Sequence, residues 1–200
     1  MQPASAPLAA AVVCHAHPLH GGMMHFKVVF RVAKALQAAG LSVLRFNFRG
    51  VGRSEGTFDD GEGEQGDARS ALDELQRRFP ELPLMIGGFS FGSVVGLRVG
   101  ALDPRVHAVF LLGYPARLVG EHDSLTGGSK PRLLVQGEND EFCSAEELKG
   151  LIEPGPEAQR LVVVPGSDHF FTGQLDAVEA AMEPWAKSRP WEKRDLEGVK

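Results

Sequence analysis

The chain has 200 residues, 43% of them hydrophobic, and a net charge of −5 at neutral pH. That length suits a single domain with a substantial core, here expected over residues 1–200 with residues 185–200 as a peripheral tail. The negative balance gives no support to nucleic-acid or membrane-surface binding, and no apolar stretch approaches the roughly 18 residues of a membrane span.

The opening MQPASAPLAAAVVCHAHP carries no basic region ahead of its apolar run, so it does not read as a secretory signal. Two cysteines, Cys14 and Cys143, suggest no disulfide framework, and the expectation is reduced thiols in a cytoplasmic protein. Strands are predicted at residues 10–15, 42–48, 84–88, 106–113, 132–137 and 161–165. These runs are rich in Val, Ile, Leu and Phe with little polar alternation, as parallel strands covered on both faces require. Helical periodicity separates them, over residues 25–39, 67–79, 91–102 and about 172–187. Ser144 with Glu147 gives the signature of a capping box on a short helix. The acidic, glycine-rich residues 55–67 read as a loop. Such alternation predicts an α/β fold, a three-layer α/β/α sandwich on a mostly parallel sheet of about six strands.

The stretch GGFSFGS, residues 87–93, places a serine where a strand meets a helix. It matches G-x-S-x-G, a corner whose strained backbone lifts the serine hydroxyl above the sheet edge. Gly88 and Gly92 relieve the crowding, and the backbone N–H of Phe91 is left free to hold an oxyanion. Gly92, Gly96 and Gly100 recur every four residues, and a helix that tolerates them is expected to pack closely on the sheet. A hydroxyl nucleophile needs a base and an orienting acid. QGENDEF, after the strand at 132–137, offers Glu138, Asp140 and Glu141, of which Asp140 is preferred. PGSDHFF, after the last strand, offers His169. His107 lies at the start of a strand and His122 in a loop before the acid, so neither fits. Asp168 reads as a surface or capping residue. The second oxyanion donor is sought in HAHPLHGGMMH, with the Leu19 N–H first and Met23 as the alternative. His17, Arg49 and Met23 are further candidates for lining the site. Arg45, Asn47 and Arg49 alternate on what reads as one strand face and are expected to organise the floor.

These motifs, with LRFNFRGVGRSEG and GEGEQGD, cover nearly the whole chain in order. It resembles the α/β-hydrolase superfamily, in a compact branch related to dienelactone hydrolases and small serine esterases. The resemblance implies an α/β-hydrolase fold and a serine hydrolase of the carboxylesterase type. Ser90 is then the nucleophile, His169 the base and Asp140 its orienting acid. Two departures stand out. The first clear strand already carries the oxyanion loop, so the expectation is either a sheet reduced to about six strands or a chain whose start is missing. Only a loop at residues 117–130 stands where a cap domain usually enters, so the pocket is expected to be open and suited to small soluble esters, thioesters or lactones. No cofactor or metal is expected. The partner is a small-molecule substrate, with no nucleic acid and no membrane, on a monomer or a homodimer for which Trp185 and Trp191 offer exposed surface.

Rival readings come from different classes. His15, His17, His20 and His25 cluster as metal ligands do, but no acidic residue lies within that stretch. Residues 59–64 lack the spacing of a calcium loop. A non-catalytic binding module on the same fold gains nothing from a strained serine. A cysteine nucleophile fails because position 90 is serine, and Cys14 reads as core.

Overall fold

The computed structural model describes residues 1, 3, 6–120, 125, 128–152 and 159–192. Six strands form one sheet: β1 (Ala9–Cys14), β2 (Leu41–Arg45), β3 (Leu84–Phe89), β4 (Val106–Leu112), β5 (Arg132–Gly137) and β6 (Gln159–Val164). Their order is β2-β1-β3-β4-β5-β6, with every pairing parallel. Helices α1 (Lys27–Ala38), α2 (Glu62–Arg78), α3 (Phe91–Leu102), α4 (Ala145–Leu151) and α5 (Leu175–Lys187) complete the described layers.

The alternating faces of β1 explain its unbroken apolar run. Ala9, Ala11 and Val13 enter a core shared with α1 and α5, while Ala10, Val12 and Cys14 enter the opposite core under α2, α3 and α4. Both faces are buried, so no polar alternation survives. The three-layer expectation and its six strands agree with this architecture, and among the described residues no cap domain is inserted. Among the described residues, no helix is long and apolar enough to cross a membrane. His122 and part of the 117–130 loop lie outside the described residues.

Several expectations are corrected. Residues 62–66 are helical, because α2 begins at Glu62. The buried Glu64 carboxylate accepts the N–H groups of Gly61 at 2.8 Å and Asp59 at 3.1 Å, which caps the first turn. Gly63 has room only for hydrogen, since a Cβ there would stand 2.0 Å from Arg49 Nη1. The second strand ends at Arg45, whose partner is Val13, because its one neighbour, β1, stops one residue later at Cys14. Asn47 and Arg49 therefore lie beyond the strand, not on its face. Asn47 Oδ1 accepts the Met24 N–H at 2.8 Å, and Arg45 Nη1 donates to the Met24 carbonyl at 2.7 Å. These side chains brace the loop after β1. Trp185 and Trp191 are not exposed: both belong to the core beside α1 and α5, so the chain stays packed at least to residue 191.

Candidate active site

Chain order reverses where β1 and β3 lie side by side, since one connection runs outward to β2 and the rest run toward β6. Loops leaving the carboxyl ends of such strands diverge and open a crevice. The β3–α3 corner and the loop after β1 flank this point.

Ser90 sits at that corner with φ 55° and ψ −124°, a conformation costly for a residue with a side chain. The surroundings hold it there. Its N–H donates to the Leu112 carbonyl at 2.9 Å, and its own carbonyl accepts the Ser93 N–H at 2.8 Å and hydroxyl at 2.6 Å. A Cβ at Gly88 would meet the Cys14 carbonyl oxygen at 2.4 Å, and one at Gly92 would meet that of His15 at 2.4 Å. The two glycines thus let the elbow seat directly on the backbone at the end of β1. Phe91 and Gly92 open α3, so their N–H groups have no carbonyl one turn back within the helix, and Phe91 lines the cleft beside Ser90.

The structure brings together the three residues that the sequence singled out. Ser90 Oγ lies 2.9 Å from His169 Nε2, and His169 Nδ1 lies 2.8 Å from Asp140 Oδ2. With Nδ1 donating to the carboxylate, Nε2 is left to accept the serine proton. Asp140 is 2% exposed, so its charge depends on protein donors. Its Oδ1 accepts the N–H groups of Phe142 at 2.8 Å and Cys143 at 3.3 Å, and Oδ2 also accepts Gln136 Nε2 at 2.9 Å. Gln136 was missed in the sequence because it reads as one polar residue inside an apolar strand. Its second role is structural, accepting the Tyr114 N–H at 2.9 Å.

The neighbouring carboxylates do other work. Glu138 accepts the Gly166 N–H at 2.7 Å, Glu141 the His169 N–H at 3.2 Å, and Asp168 caps the Thr172 N–H at 2.9 Å. That last contact holds the Asp168 carboxyl below its ordinary range. Gly113, at φ 53°, leaves space for the imidazole: a Cβ there would stand 3.2 Å from His169 Nδ1.

The loop after β1 departs from expectation. Leu19 is 69% exposed, and its N–H is taken by His17 Nδ1 at 3.2 Å, so it is not available to an oxyanion. Met23 is also exposed and lies off the cleft wall, which Ala16 and His17 form instead. Arg49 does not line the cleft either, because two of its nitrogens clasp Asp67 at 2.9 to 3.2 Å. His15 is spent on structure: Nδ1 contacts the Ala16 carbonyl at 2.6 Å and Nε2 accepts the Phe48 N–H at 3.0 Å. Burial pushes its pKa down. Both cysteines are buried and free; burial drives the Cys14 thiol far up and the Cys143 thiol to about 11, so neither is a thiolate at neutral pH.

In front of Ser90 opens a cleft of about 690 Å³, a size suited to a small molecule. Phe26, Phe58, Phe91, Phe142 and Phe170 supply aromatic wall, and His17 is tilted against both Phe58 and Phe91. Arg98 and Asp60 are the charged side chains along it. Arg98 also sits near Tyr114, whose hydroxyl burial pushes up to about 12 against the opposing pull of the Arg98 charge. Phe91, Val94 and Arg98 share one helical face, a spacing visible in the sequence once the helix is placed.

Comparison with known proteins agrees with this geometry. Residues 9–187 match the family model for an alpha/beta hydrolase domain, from the first residue of β1 to the last of α5. An uncharacterised protein of Rickettsia prowazekii is 35% identical over 183 residues, covering 88% of this chain and 77% of that one. An alpha-beta serine hydrolase homologue from Coxiella burnetii superposes with a TM-score of 0.85 at 34% identity, covering 92% of this chain and 88% of that one. An α/β serine hydrolase without lid from Xanthomonas campestris gives 0.83 at 33% identity, over 95% and 85%. Sheet order, strained serine and matched span all describe one kind of protein, and the chain belongs to the α/β-hydrolase family.

Proposed function

We propose that this protein is a serine hydrolase that cleaves a small ester, thioester or lactone through an acyl-enzyme on Ser90. The observation that carries the reading is the unbroken relay from Ser90 Oγ to His169 Nε2 at 2.9 Å and from His169 Nδ1 to Asp140 at 2.8 Å. His169 withdraws the hydroxyl proton as Ser90 attacks the carbonyl, then returns it to the leaving oxygen or sulfur. Water repeats the cycle on the acyl-enzyme, with His169 again the base, and releases the acid. Asp140 holds the ring in the required tautomer and stabilises the imidazolium.

The Phe91 N–H supplies one oxyanion donor. The His17 N–H supplies the other: it belongs to the loop seated against the elbow, lines the cleft, and donates to no described residue. Removing one such donor costs about 10²–10³ in kcat in a known case. The open, aromatic cleft favours compact acyl and alcohol groups over long chains.

Labelling with a fluorophosphonate tests this directly. Wild type takes up the label at Ser90 and turns over p-nitrophenyl acetate, and Ser90→Ala loses both while keeping its circular dichroism spectrum. Wild type that folds yet neither labels nor hydrolyses any member of a short-acyl ester and thioester panel refutes the proposal and favours a binding module.

A further inference from the structure

Arg98 stands in the cleft wall without an ion pair or hydrogen bond to any described residue. Other arginines are clasped by carboxylates: Arg31 by Asp176 and Glu179, Arg49 by Asp67, Arg105 by Asp103 and Asp73, Arg117 by Glu147. Arg45 and Arg132 donate instead to the backbone carbonyls of Met24 and Leu125, so among the described residues Arg98 is a half-buried guanidinium with neither a carboxylate nor a carbonyl partner.

Its placement joins it to the chemistry. Arg98 follows Ser90 by two turns of α3, about 12 Å along the axis. Helical side chains lean toward the N-terminus, which brings the head group back over the first turn. The contacts agree: Arg98 Nη1 and the Phe91 ring lie 3.8 and 3.7 Å from where a Cβ on Gly61 would stand. Gly61 carries no side chain, so the space between helix and loop stays open. Asp60, an exposed residue, also lines the cleft and makes no ion pair to Arg98 at 4 Å or less.

We propose that Arg98 is an anion subsite, and that the substrate is an ester bearing a carboxylate or similar oxyanion within about 12 Å of its scissile carbonyl. This rests on the serine-hydrolase reading above. A planar guanidinium binds a carboxylate through paired, charge-assisted hydrogen bonds. The protein's overall negative field repels such a substrate, so the local cation decides whether the charged ester is accepted. The aromatic walls pack the spacer between the two ends.

Two pairs of esters test it, each with its charge present or masked. Monophenyl glutarate and its methyl ester carry the charge on the acyl side; 4-carboxyphenyl acetate and its methyl ester carry it on the leaving group. In Arg98→Gln, the charged-to-masked ratio of kcat/KM falls by about tenfold to a hundredfold for at least one pair, and Arg98→Lys recovers part of it. Both ratios unchanged in Arg98→Gln overturn the proposal. Calorimetry on Ser90→Ala separates this from failure of the hydrolase reading. Monophenyl glutarate binding that disappears on adding Arg98→Gln supports the subsite even in a protein that hydrolyses nothing. Absence of binding to Ser90→Ala, together with equal hydrolysis of charged and masked esters by wild type, refutes it.

Discussion

At the scale of single residues, the site depends on groups that never meet the substrate. Gln136 ties the Asp140 carboxylate to the Tyr114 N–H and to the Cys143 carbonyl, which accepts Gln136 Nε2 at 2.7 Å. Replacing it with leucine strands these buried partners. Gln136→Leu is expected to lose about 1–3 kcal/mol of stability in urea unfolding. It is also expected to lower kcat for a short-acyl ester by up to about 100-fold, as the acid drifts from its working position. An unchanged kcat in the destabilised variant assigns Gln136 a structural role alone.

His15 makes a different prediction. Its Nε2 accepts the Phe48 N–H, so protonation would set two donors face to face in a buried place. Burial therefore lowers its folded pKa below the ordinary 6.5. With the folded value depressed, the unfolded state binds the proton more readily, and stability is lost as pH falls below about 6.5 toward the folded value. Urea midpoints measured between about pH 7 and pH 5 are expected to slope less in His15→Gln than in wild type. Equal slopes count against a buried neutral imidazole.

Among the elements, α3 shows how sequence pattern becomes geometry. Its glycines cost about 0.8–1 kcal/mol each in helix propensity. The sheet explains them: a Cβ at Gly96 would meet Gly87 Cα at 2.9 Å, and one at Gly100 would meet Val109 Cγ1 at 2.4 Å. The nearness of α3 places Ser90 at the end of β1 and β3 and brings Phe91 beside His17. Gly92→Ala gains propensity but forces backbone against the Cys14 and His15 carbonyls, neither of which can swing aside. Its expected net effect is a loss near the upper end of about 1–3 kcal/mol. Fluorophosphonate labelling falls with it, even where circular dichroism shows the helix intact. α2 teaches the converse. Its first turn reads as loop because Gly63 and Gly66 weaken the helical signal, and the reason for Gly63, the Arg49 guanidinium packed on it, arrives from another part of the chain.

For the whole molecule, the fold rests on two apolar layers that the sheet divides, and the chain's late residues belong to one of them. Trp191 is 7% exposed and packs in the core with α1 and α5. Sequence placed it in a polar tail because its neighbours are charged and no helical period reaches it. Trp191→Ala is expected to destabilise the protein by about 3–5 kcal/mol in urea unfolding, with fluorophosphonate labelling per folded molecule unchanged. A loss below about 1 kcal/mol, typical of surface substitutions, would refute its place in the core.

The sequence alone determined the strand–helix alternation, the corner at Ser90 and the residues Asp140 and His169 that answer it. Each is written locally, in apolar runs buried on both faces, in glycines around a strained serine, and in loops that follow strands of known order. Only the tertiary structure decided that the Leu19 N–H is taken by His17, why Arg49 turns away from the cleft, and that Gln136 braces the acid while Arg98 lines the wall. Those outcomes depend on contacts between segments far apart in the chain, where a side chain's partner is chosen by distance and burial and leaves no periodic trace nearby.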